Sequence, residues 1–166
     1  RKARIIIDTL NTELMVKAYI GIGSAVDNIN DLPLSYREAK TALTVGGIFE
    51  NDKFIFNYNK LGLGRLIYQL PIPLCKLFLQ EVFKKDSLES LDTETISTIN
   101  KFFENNLNIS ETSRQLYVHR NTLVYRLDKI LKTTGLDLRK FDDAIIFKVS
   151  MLVKKYLDNK EGISKC

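Results

Sequence analysis

The run from Ser110 to Gly135, SETSRQLYVHRNTLVYRLDKILKTTG, restricts the fold of this chain more than any other stretch. Leu123, Leu127, Ile130 and Leu131 fall at i, i+4, i+7 and i+8, which is the buried stripe of one helix. Gly135 stands where a left-handed residue would end that helix, and Lys129 and Lys132 suit the negative end of its dipole. A shorter helix of about seven residues precedes it, with Ser110 available as N-cap and Glu111 suited to the positive helix end. After LYV a second cap is available at His119 or at Asn121. Two helices joined by about three residues, the second longer and basic, form the outline of a helix-turn-helix.

At about 100° per residue, with Leu123 and Leu127 inward, Asn121, Tyr125, Asp128 and Lys132 point outward, and Thr122 and Lys129 lie beside them. Recognition helices read base edges mainly from their first turns. Arg120, Asn121, Thr122 and Tyr125 are therefore expected to meet base edges or the nearest phosphates, and Lys129 and Lys132 to meet phosphates. From Asn108 to Gly135, Arg114, Arg120, Arg126, Lys129 and Lys132 face only Glu111 and Asp128 as acids. Each residue also has a plainer reading. His119 can be a cap alone, Tyr125 can pack on a partner helix, and Arg126, nearer the buried edge, can pair with an acidic neighbour. Periodicity alone leaves a protein-interaction or signalling module, whose basic helix binds an acidic partner, as the alternative to a DNA reader.

Upstream the pattern differs. Ile5, Ile6, Ile7, Leu10, Leu14 and Met15 space like a helix face. VKAYIGIG alternates like a strand, Leu34 to Leu43 reads as a helix stopped by Gly46 and Gly47, and FIFNY reads as a second strand. From Leu61 strand patterns vanish. LGLGRLIYQLP is a connector, IPLCKLFLQEVFKK a helix set off by Pro71 and Pro73, and DSLESLDTET a candidate linker. ETISTINKFFENNLN precedes the opening stretch, and a last helix runs from about Phe141 to Leu157. On it Ile145, Val149, Leu152, Val153 and Tyr156 form a stripe that Ile146, Phe147 and Met151 widen, broad enough to pack on a second subunit. The expected fold is α+β, with a partial α/β segment over 1–60, a helical connector over 61–90 and an all-α helix-turn-helix domain over 91–160.

Enzyme chemistry finds little support. GIGSAV lacks the third glycine of a dinucleotide fingerprint, and Cys75, Cys166 and the single His119 make no metal set. Asp142 and Asp143 suit the start of the last helix rather than a catalytic pair. No cofactor, metal or catalytic residue is expected. No apolar run approaches the roughly 20 residues of a membrane span, so a cytoplasmic protein is expected. The net charge of +5 favours polyanionic partners only mildly. The chain opens at Arg1, inside a helical pattern, and reads as part of a longer protein.

VHRNT at Val118 to Thr122, YRL at Tyr125 to Leu127 and TGLD at Thr134 to Asp137 closely resemble the C-terminal DNA-binding domain of PucR/CdaR-type bacterial transcription regulators, over about Thr93 to Leu157. Those proteins respond to purine metabolites or sugar diacids. The resemblance implies a Fis-like helix-turn-helix with its recognition helix from His119, operator DNA as partner, a homodimer and an effector-sensing domain upstream. It also implies a DNA-binding set of Ser110, His119, Arg120, Asn121, Thr122, Tyr125, Arg126, Lys129 and Lys132. Two residues depart from common helix-turn-helix practice. Ser113 replaces a small Ala, and Tyr117 stands where many such turns use Gly, so the turn need not be of the Gly type. YIGIGSAVDNINDLPLSYREAKTAL resembles the degenerate GGDEF-like domain of the same regulators, a match over about 1–58. GGIFE, Gly46 to Glu50, is not a cyclase signature, and no cyclase activity is expected.

Overall fold

The computed structural model describes residues 2–50, 52–83 and 90–163. Contacts divide the chain into two units, one reaching Ile72 and resuming at Leu152, the other Pro73–Met151.

In the first unit α1 (Lys2–Glu13) is followed by β1 (Ile20–Ile22), α2 (Leu32–Phe49), β2 (Ile55–Asn57) and α3 (Leu63–Tyr68). The strands are parallel, Ile20 opposite Ile55 and Ile22 opposite Asn57, with α2 connecting them. The expected strand over VKAYIGIG shortens to its last part. Met15 takes a left-handed φ of 52° and Val16 N–H donates to the Leu10 carbonyl at 3.1 Å, so the chain is still turning out of α1 at Val16.

Gly46 and Gly47 do not stop α2, which continues to Phe49. A Cβ on Gly46 would lie 2.1 Å from the Phe56 ring, so its bareness lets β2 approach the helix. That approach builds the small core of Ala42, Val45, Phe56 and Leu61. The helix is held there by packing, which outweighs the weak helix propensity of glycine.

The second unit contains most of α4 (Ile72–Val82), then α5 (Thr93–Glu104), α6 (Ile109–Gln115), α7 (Arg120–Thr134) and the first part of α8 (Phe141–Ile163). Its core joins Phe83, Ile99, Phe102, Leu123, Leu127, Ile130, Leu138 and Phe147, with Leu79 and Val82 of α4 packed against it. Pro73 lies in the first turn of α4, where its missing N–H costs no helical bond. Residues 86–89 of the candidate linker lie outside the described residues, whereas Asp92 caps α5 and Thr93 to Thr95 form its first turn.

The α8 stripe also differs from expectation. Ala144, Phe147 and Ser150 are buried in this unit, and Ile145 is 45% exposed. Ser150 tolerates burial because its hydroxyl donates to the Ile146 carbonyl at 2.8 Å. The fold is α+β, a small parallel sheet beside a predominantly helical remainder. Among the described residues no helix is long and apolar enough to cross a membrane, and no group of three or more His, Cys, Asp or Glu could hold a metal ion.

Candidate nucleic-acid interface

The α5 to α6 connection is a tight left-handed stop. Asn106 (φ 51°) and Leu107 (φ 61°) are both left-handed, Asn106 N–H donates to Phe103 O at 3.1 Å, and Leu107 N–H donates to Phe102 O at 2.9 Å. These two bonds make a Schellman motif with Asn106 at its left-handed position, and Leu107 then packs against the core. The stop leaves Asn108 extended, and its side-chain oxygen accepts from Glu111 N–H at 3.0 Å. Asn108, and not Ser110, is therefore the cap of α6. Ser110 is exposed in the first turn, its carbonyl accepting from the Ser113 hydroxyl at 3.0 Å. Ser113 and Thr112 are buried where α6 meets its neighbours.

The α6 to α7 turn repeats the device. Tyr117 N–H donates to Arg114 O at 3.2 Å and Val118 N–H to Ser113 O at 3.0 Å, with Tyr117 left-handed at φ 55°. The turn keeps the Gly-type backbone although the residue is tyrosine, a geometry that the sequence left open. Its side chain is 96% exposed and Val118 packs inward. His119 then caps α7, Nδ1 accepting from Asn121 N–H at 3.2 Å. The choice between His119 and Asn121 as cap falls on His119. Gly135, at φ 80°, ends α7 as anticipated.

On α7, Leu123, Leu127 and Ile130 are fully buried and Leu131 is half-buried. Arg120, Asn121, Thr122, Tyr125, Lys129 and Lys132 are exposed. Among the described residues, no hydrogen bond or ion pair engages the side chains of Arg120, Asn121, Thr122, Tyr125 or Lys132. The other cations are occupied. Arg114 pairs with Glu111 at 2.8 Å, and Lys129 with Asp92 at 3.2 Å. Arg126 pairs with Glu94 and donates to the Thr98 hydroxyl at 3.1 Å, tying α7 to α5. Asp92 is held well below the usual carboxylate range, at about 2, by hydrogen bonds from the Thr95 side chain and backbone and then from Lys129.

Sequence reasoning overlooked Arg139. It pairs with Asp128 at 2.9 Å and with Asp137 at 2.7 Å, and the Asp137 bond holds that carboxyl below its ordinary value. This places a further cation beside the outer face of α7. Its signal, an Arg just past the TGLD run, is legible only once the chain is folded back.

A short helix, a left-handed turn and a longer helix whose exposed face carries the unengaged Arg120, Asn121, Thr122, Tyr125 and Lys132 make the second unit a helix-turn-helix domain. Residues 95–153 match the family described as the PucR C-terminal helix-turn-helix domain, and residues 1–45 match the GGDEF-like domain. The chain thus carries a PucR-type C-terminal helix-turn-helix domain behind a GGDEF-like segment. It is 28% identical over 141 residues to the purine catabolism regulatory protein of Bacillus subtilis (strain 168), covering 82% of this chain and 26% of that one. To the carbohydrate diacid regulator of Escherichia coli (strain K12) it is 29% identical over 143 residues, covering 80% and 34%. To the proline-responsive transcriptional activator PutR of Bacillus subtilis (strain 168) it is 33% identical over 144 residues, covering 82% and 34%. The chain therefore spans between 26% and 34% of the length of these relatives.

Proposed function

We propose that this chain is the DNA-binding part of a transcription regulator, α7 entering the major groove and two copies sharing one operator. The observation that carries the reading is the row Arg120, Asn121, Thr122, Tyr125 and Lys132, which stands exposed at a helix-turn-helix and makes no internal bond among the described residues. Arg suits guanine and Asn suits adenine, and both lie in the first turn, where base edges are read. Tyr125 and Thr122 lie beside them, with Lys132 and Lys129 toward the phosphates, Lys129 exchanging Asp92 for one of them. Ser110 and His119 border the same groove-facing edge through backbone or side-chain contacts. Arg126 serves this face indirectly, by fixing α7 on α5. A short helix reads few base pairs, so two half-sites and two copies are needed for specificity.

The relatives bear the names of regulators, and the protein acts here as a cytoplasmic regulator without catalysis of its own. GGIFE supports that reading, since its two glycines lie inside α2 and not in a hairpin that could cradle nucleotide. The effector is sensed by a part of the protein outside this chain.

The test is fluorescence anisotropy with DNA from upstream of the protein's own and neighbouring genes, with unrelated duplex as competitor and across a salt series. Steeply salt-dependent, competitor-resistant binding is expected. Arg120→Ala and Asn121→Ala should each cost about 1–3 kcal/mol at the specific site with little loss of fold stability. Unchanged affinity in both variants refutes the reading, and saltinsensitive binding points instead to an acidic protein partner.

A further inference from the structure

α7 carries one acid, Asp128, and its place on the helix is unfavourable for a DNA reader. It stands seven residues after Asn121, three after Tyr125 and four before Lys132, so it shares their outward face. Duplex DNA carries one negative charge per about 1.7 Å of its length. A bare carboxylate on the face that enters the groove opposes those charges where water is partly excluded, and there like charges act most strongly.

The turn after α7 answers that charge. Gly135, left-handed at φ 80°, folds the chain back, and the fully buried Leu138 pins the turn to the core. Asp137 and Arg139 stand on either side of Leu138. Asp137 Oδ1 accepts from the Arg139 backbone N–H at 3.1 Å and from its Nε at 2.7 Å, and Oδ2 accepts from Nη2 at 3.2 Å. These bonds fix the guanidinium plane and leave Nη1 to reach Asp128 Oδ1 at 2.9 Å. The Asp137 side chain is 15% exposed and that of Asp128 45%, so Asp128 is the carboxylate that an approaching polyanion meets. Lys132, one turn further along the face, makes no ion pair among the described residues, which leaves Arg139 as the partner of Asp128.

We infer that Arg139 is a positioning residue of the DNA interface: held by Asp137, it neutralises Asp128 and so lets the outward face of α7 lie against phosphates and base edges. The inference rests on the reading that α7 enters the major groove. It gives the turn after α7 a part in binding, and it places one determinant of affinity outside the helix-turn-helix itself. Arg139 acts through Asp128 and needs no contact with DNA.

The test is a double-mutant cycle read by fluorescence anisotropy, on the tightest-binding duplex from upstream of the protein's own and neighbouring genes. In the native background Arg139→Ala should weaken binding about tenfold at low salt, and the loss should shrink as salt rises, because screening acts on the unmasked Asp128 charge. In an Asp128→Asn background the same substitution should cost no more than about threefold. Asp137 loses its partner in both backgrounds, so that loss cancels from the comparison. Circular dichroism checks the fold of each variant, and Arg139→Gln, which keeps a donor for Asp137 without the charge, replaces an Arg139→Ala that does not fold. Unchanged binding by Arg139→Ala overturns the inference. An equal cost in both backgrounds also overturns it, since Arg139 would then touch DNA itself, and so does a loss indifferent to salt, which marks a turn that is merely distorted. Wild type and Asn121→Ala test the DNA reading separately. If wild type binds specifically and Arg139→Ala binds as tightly, this inference alone falls, whereas a wild type that does not bind removes both.

Discussion

Replacing Tyr117 by glycine should make the helix-turn-helix unit more stable. Tyr117 holds φ at 55°, a region that costs a residue with a Cβ roughly 1–2 kcal/mol. Its ring is 96% exposed and makes no ring contact or hydrogen bond among the described residues, so removing it forfeits almost no burial. Against the gain stands the greater freedom of glycine in the unfolded chain, about 0.4–1 kcal/mol. The balance favours Tyr117→Gly by about 0.5–1 kcal/mol, which in a domain of this size moves Tm upward by a few degrees. Tyr117→Ala is the control, since alanine removes the ring and retains the Cβ. The assay is thermal unfolding followed by near-ultraviolet circular dichroism or calorimetry, on the transition of this unit. A glycine variant no more stable than the alanine variant would refute the claim that the left-handed backbone, and not the ring, sets the cost at this turn.

The adjacent glycines of α2 should respond with opposite signs. Gly46→Ala is expected to cost about 1–3 kcal/mol, because its Cβ would enter the Phe56 ring, whereas Gly47→Ala, with nothing within 4 Å, should gain about 0.5–1 kcal/mol in urea midpoints. Asp92→Asn should destabilise at neutral pH. The lowered folded value of Asp92 means that its contribution is present above its ordinary value of 3.8 and is lost as pH falls through about 2, so the gap between variant and wild type should close over that range in acid unfolding titrations. Arg126→Ala should cost about 0.5–1.5 kcal/mol by removing its bonds to Thr98 and to the exposed Glu94 carboxylate, the Thr98 hydroxyl keeping its bond to the Glu94 carbonyl, and calorimetry at neutral pH reads it directly.

How far the fold could be read in advance depended on whether the deciding contact was local. The body and end of α7 were legible because its stripe and Gly135 are neighbours in sequence. The start of α6 was not, since Asn108 and Ser110 are both good caps and the choice is made by the left-handed Asn106 and Leu107 before them. The length of α2 was hidden for a related reason. A glycine facing a ring from β2 and a glycine closing a helix look the same in one dimension. The polar row on α7 was legible residue by residue, but which of its cations are occupied was not, because Arg126 meets Glu94 across 32 positions and Lys129 meets Asp92 across 37. Ser150 entered the α8 core unannounced because its hydroxyl is satisfied inside its own helix.

The two-stranded sheet has a practical consequence. β1 and β2 bond only to each other among the described strands, so each keeps an outer row of backbone donors and acceptors. Such rows are templates for further extended chain, and Ile20, Ile22 and Ile55 flank them with apolar side chains. Slow, concentration-dependent clouding of stored protein should therefore begin at this sheet and not at the helical unit. A lysine on the outer edge of β1, or a short peptide strand supplied to it, is the remedy to try when the chain is prepared for long measurements.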